Sequence, residues 1–173
     1  MAGSLIKIDE EIVTSAVASV TLTGIDSTYD VYMVKVNNCS PVTAFAKLRA
    51  RVTLSGSPDS TANYDRAYKK LRSDTTFQNE SGTNATYAEI SSEIGTSAGE
   101  NNNQILYLFN FNSTTEYAFA TNEGVLGVSS ITAGFQGGWV FTSTGTARDG
   151  IQLFMSSGNI DTGSSFVLYG LKK

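Results

Sequence analysis

The chain reads as an all-β protein, an antiparallel β-sandwich of jelly-roll type with about nine or ten strands. Three observations predict it. Apolar and polar residues alternate repeatedly with a period of two, and helical periodicity is nearly absent. Clusters of Gly, Asn, Asp and Ser break the alternation at short, regular intervals. The two prolines, Pro41 and Pro58, both fall in such clusters, so no strand carries a breaker. At 173 residues and 40% hydrophobic composition, the chain is long and apolar enough for one packed domain.

The elements follow in order. Residues 1–13 carry Leu5, Ile6, Ile8 and Ile12 around Asp9-Glu10-Glu11 and form either a first strand or an extended arm that packs on a neighbour. These four apolar residues are the candidate assembly residues, and residues 14–173 make a single sandwich domain. Val20 and Leu22 alternate with Ser19, Thr21 and Thr23 before the turn residues Gly24-Ile25-Asp26-Ser27. Tyr32 to Val36 is the next strand, closed by Asn37-Asn38 and Pro41. The clearest strand is Lys47 to Leu54: Leu48, Ala50, Val52 and Leu54 share one face, and Lys47, Arg49, Arg51 and Thr53 the other.

Ser55 to Asp59 is a loop by composition, and Tyr64 to Leu71 can pair back from it as a strand carrying two tyrosines. Ser73 to Thr86 is a long polar loop or a pair of edge strands, and Thr86 to Ile94 a short strand. Ile105 to Phe111 is almost continuously apolar, which predicts a central strand buried on both faces. Tyr117 to Thr121, Val125 to Thr132 and Trp139 to Thr142 follow as strands. Gly134-Phe-Gln-Gly-Gly138 is a bulge or tight turn before Trp139. Gly150 to Met155 and Ser165 to Leu171 complete the set.

Chemistry is sparse. Histidine is absent, which removes the commonest general base, the Ser-His-Asp and Cys-His arrangements and the most frequent zinc ligand. Cys39 stands alone, so no disulfide forms within the chain, consistent with folding in a reducing cytoplasm. No phosphate-binding loop opens a helix. The carboxylates, among them Asp26, Asp59, Glu89, Glu93, Glu100 and Asp149, fall nearly all in turns and belong to no motif. The sequence therefore predicts no catalytic residue, no cofactor and no metal. A carboxylate pair assembled by folding, as in a sandwich-fold glycan hydrolase, is the one enzymatic alternative. Among the aromatics, a core role covers most, and Tyr64 or Tyr87 could serve a sugar-binding platform.

A net charge of −4 argues against nucleic acid, whose phosphates require clustered Lys and Arg. Lys47, Arg49 and Arg51, followed by Arg66, Lys69, Lys70 and Arg72, make either a solvated face with counter-charges nearby or a face that docks on an acidic neighbour. The beginning of the chain lacks the pattern of a signal peptide, and no apolar run reaches the length of a membrane helix, so no membrane partner is expected. Charged residues are only 16%, against roughly 25% in ordinary domains. A surface of Ser, Thr, Asn and Gly can be ordered against neighbours with little loss of side-chain entropy.

Several segments resemble small virion structural proteins of tailed bacteriophages, including phages of marine cyanobacteria. They are Val20 to Tyr32, Leu48-Arg-Ala-Arg-Val52 with Ser55-Gly-Ser-Pro58 and Asn63 to Tyr68, Gly150 to Ile160, and Phe166-Val-Leu-Tyr-Gly-Leu171. The resemblance covers most of the chain and rests on the order and spacing of these segments. It implies a non-enzymatic virion component made in the host cytoplasm, a capsid decoration or cement protein partnered by the major capsid protein. A tail appendage or fibre tip that binds a host surface glycan or protein is the alternative, and a free carbohydrate-binding module a further one. A homo-oligomer, expected as a trimer, goes with the first placement.

Overall fold

The alternation builds thirteen strands in a computed structural model that describes residues 4–172. None of the described residues is helical, and 62% of the chain is strand. Met1, Ala2 and Gly3 of the expected arm, and Lys173, lie outside the described residues. In chain order the strands are β1 (Ser4–Ile12), β2 (Ser19–Thr23), β3 (Val31–Cys39), β4 (Ala46–Leu54), the two-residue β5 (Ser57–Pro58), β6 (Tyr64–Arg72) and β7 (Gln78–Ala85). Then come β8 (Ala88–Ile94), β9 (Asn102–Phe109), β10 (Ala118–Val128), β11 (Ile131–Phe141), β12 (Gly150–Met155) and β13 (Ser165–Lys172).

Two antiparallel sheets result. The larger has eight strands in the order β1-β13-β3-β9-β10-β11-β6-β7. In the smaller, β2, β12 and β4 lie side by side, and β5 and β8 share the far edge of β4. The pairings are nested: β1 with β13, β2 with β12, β3 with β9, and β4 with β8. The chain is thus one long hairpin whose successive segments fall on alternate sheets. β6, β7, β10 and β11 lie outside this nesting and widen the larger sheet.

Side chains from both sheets meet between them. Leu48, Ala50, Val52, Leu106 and Leu108 are fully buried, Trp139 is 4% exposed, and Leu54 packs partly buried against the same cluster. Each buried leucine contributes about 1.5–3 kcal/mol relative to exposure. Arg148 closes one end of this core. Its guanidinium is wholly buried and donates to four backbone carbonyls, those of Asn110, Ser113, Glu116 and Thr146, at 2.8–3.3 Å. One cation thereby ties the 110–117 connection to the 142–149 connection.

Four expectations are corrected. β6 does not pair back on β4; both edges of β4 are taken, and β6 crosses to the larger sheet between β11 and β7. Residues 125–132 are not one strand but the end of β10, a two-residue turn and the start of β11. Ser129 and Ser130 both have positive φ (49° and 64°) and join Val128 to Ile131 in a two-residue turn. Serine gives no turn signal there; Glu100 holds the turn by accepting the Ser130 N–H at 3.1 Å. Residues 134–138 are neither bulge nor turn but the middle of β11, in unbroken register. Gly137 is needed because Tyr68 and the Ala67 carbonyl lie where its Cβ would be. Finally, β9 is buried on one face only, which sets up the surface described next.

Candidate interaction surface

The strand expected to be covered on both sides exposes one. Leu106 and Leu108 point into the core, while Ile105 and Tyr107 point outward, each 39% exposed. Along the ladder, the outward neighbours of Tyr107 are Met33 and then Tyr169 on one side, and Thr121, Gly138 and Ala67 on the other. The adjoining row runs Val31, Phe109, Phe119, Val140, Asp65. Phe119 and Val125 are exposed by 46% and 47%. Met33 and Val167 are buried yet absent from the core cluster, because neighbours on this outward face cover them.

The large sheet therefore carries a second apolar layer. Where side chains shrink to Gly138 and Ala67, the face dips into a groove of 410 Å³ bounded by Phe109, Phe119 and Val140. Exposed apolar patches on folded domains are common at sites of binding. The signal in the sequence was the continuous apolar run itself. In an antiparallel strand with one face in the core, such a run means that the other face also needs cover.

The four candidate assembly residues lie on β1, which is a strand and forms one edge of the larger sheet. Ile8 sits at a register shift between Lys7 and Asp9 and packs partly buried on the core. Leu5, Ile6 and Ile12 stay exposed by 52%, 39% and 58%.

Five of the seven basic residues, Lys47, Arg49, Arg66, Lys70 and Arg72, find counter-charges within the chain. Glu89, 5% exposed, receives Lys47 at 2.9 Å, Arg49 at 3.5 Å and Arg66 at 3.9 Å. Lys70, 4% exposed, reaches Glu93 at 2.5 Å, and Lys47 reaches the same carboxylate at 3.4 Å. β8 thus seals the margin between the sheets with ions from β4 and β6. Burial pushes the Glu93 carboxyl up, but hydrogen bonds from Lys70 and Ser92 outweigh it and hold the pKa at about 2. Arg51 turns aside, stacked 4.6 Å from the Phe154 ring centre, and donates to the Thr86 carbonyl.

The other chemical candidates are occupied structurally. Tyr64 is fully buried, and its hydroxyl accepts the Val52 N–H and donates to the Asp59 carbonyl, so it is no sugar platform. Tyr87 lies partly buried under the Arg49 guanidinium at 3.9 Å. Asp26 and Asp59 accept the backbone N–H groups of Thr28 and Thr61 in their own turns, and Asp149 accepts that of Gly56 from the β4–β5 turn. Burial pushes the Cys39 thiol up to about 12, against the opposing effect of a hydrogen bond with Ser164. Among the described residues no three of Cys, Asp and Glu gather as a metal-ligand set.

No family model, no curated protein and no solved structure matches the chain.

Proposed function

We propose that this chain is a structural, non-enzymatic protein whose work is to be packed against other protein, and that its fold is a jelly roll with added strands. The nested pairing β1·β13, β2·β12, β3·β9 and β4·β8 supports the fold reading, since a rolled-up long hairpin leaves that order. The observation that carries the functional reading is the apolar outward face of the eight-stranded sheet. Within that class, the resemblance in segment order favours a bacteriophage virion protein, specifically a capsid decoration protein. Leu5, Ile6 and Ile12, exposed on edge strand β1, supply a natural attachment to the major capsid protein beneath.

Mass spectrometry of separated heads and tails tests the placement. The protein is expected with tail-less heads in tens to hundreds of copies. Recovery with tails would move the assignment to a tail appendage, and absence from particles would remove it. A second reading is favoured by the groove over Gly138, where Phe119 stands beside Thr83, Thr121 and Asp65. An aromatic wall with polar neighbours suits a glycan, and a glycan array on the free protein decides that alternative.

A further inference from the structure

The outward face is complementary to itself about its central strand. β9 has β3, β13 and β1 on one side and β10, β11 and β6 on the other, so each strand has a counterpart at equal distance. One ladder row carries Lys35 on β3 and Glu123 on β10, with Ile105 between them. The same row carries Glu10 on β1 and Lys69 on β6. Beside β9 the two sides bear opposite charges in Lys35 and Glu123, while at the β1 edge Glu10 already pairs with Lys7 at 2.9 Å. In the next row, Tyr169 on β13 corresponds to Gly138 on β11, a large side chain opposite the floor of the groove. Reversal of charge and of size about a line is the pattern that lets a surface bind its own copy across a two-fold axis lying along that line.

We propose that the occupant of this face is a second copy of the chain, docked about a two-fold axis along β9. Lys35 then meets the partner's Glu123 and Glu123 the partner's Lys35. Tyr169 enters the groove over Gly138, and Ile105, Tyr107 and Phe109 pack on their own copies. The sheets stack face to face, with strand directions within about 30° of each other as in aligned packing. The seven strands from β1 to β6, at about 4.8 Å spacing with three rows about 6.8 Å apart, offer roughly 700 Å², near the roughly 800 Å² per partner of a stable interface. This deepens the reading of the face as a protein-packing surface and replaces the trimer expected from the resemblance with a dimer. It is independent of placement in a particle: a dimer never found in virions removes the decoration role and leaves the pairing intact.

Sedimentation of the full chain over a concentration series, with charge-reversal variants, tests it. Lys35 and Glu123 are both exposed, and each reversal leaves the fold undisturbed, which melting curves verify. A dimer is expected for the natural chain. Lys35→Glu and Glu123→Lys each place like charges together and raise the dissociation constant at least tenfold. The double variant restores opposite charges and returns it to within about threefold of the starting value. A zero-length carbodiimide crosslink between Lys35 of one copy and Glu123 of the other is expected in the natural chain. A monomer at every concentration, a trimer, a dimer indifferent to the single reversals, or a double variant no better than either single one overturns the proposal.

Discussion

Glu93 shows how one side chain sets a pH limit. Its folded pKa lies below its ordinary value, so it contributes stability that is present above pH 4.5 and is lost as pH falls through about 2. Glu93→Gln leaves Lys70 buried without its closest carboxylate. At neutral pH we expect a loss of about 2 kcal/mol, below the 3–5 of a fully enclosed pair because Glu93 is partly exposed. Urea titrations should find that gap closing between pH 4.5 and 2, and a gap constant with pH would break the link to ionisation. Among the described residues Arg148 is held by backbone carbonyls and no carboxylate, so Arg148→Met should cost about 3 kcal/mol by leaving buried acceptors unpaired. Faster hydrogen exchange should follow in residues 110–117 and 142–149 together. The Cys39 thiol, held near 12, should ignore disulfide reagents at pH 8 until the chain unfolds. Neither the role of Arg148 nor that of Glu93 was legible in the sequence, because most of their partners lie tens of positions away, up to 46 between Lys47 and Glu93, and include backbone atoms that no residue type announces.

At the scale of elements, alternation was readable wherever one face meets the core and the other meets water. β2, β4, β12 and β13 lie where the spacing of their apolar residues places them, with Val20, Leu48, Leu153, Phe166 and Leu168 all directed inward. β7 was legible only as a polar stretch, since an outermost strand with both faces wet has no contrast to display. The β10–β11 hairpin was hidden by a turn made from Ser129-Ser130 instead of Asn-Gly. β9 was found but misjudged, as its outward apolar residues looked like core. The two faces of β9 make a clean comparison. Leu108→Ala should cost about 2–5 kcal/mol of unfolding free energy. Tyr107→Ser should leave the melting temperature of the monomer nearly unchanged while weakening self-association.

For the molecule as a whole, sheet architecture was legible and pairing order was not, because which strand lies beside which depends on contacts far apart in sequence. The paired state should respond to salt in a definite direction. Raising salt from about 0.05 to 0.5 M shortens electrostatic reach to a few ångströms, so the natural dimer should weaken severalfold. Lys35→Glu alone should instead associate better as salt rises. Sedimentation at three salt concentrations distinguishes these trends, and identical trends in the two proteins would remove the charge pairs from the interface.

The pairing of β1 with β13 bears on how the protein is made. Ser4–Ile12 leaves the ribosome more than 150 residues before Ser165–Lys172, the strand it must join. At about 5–20 residues per second that interval is roughly eight to thirty seconds. During it, β1 with its Leu5, Ile6, Ile8 and Ile12 waits without its ladder partner, and the larger sheet cannot close until β13 has been made. Closure by the most distant pairing also predicts slow folding, in the millisecond-to-second range of proteins dominated by non-local contacts.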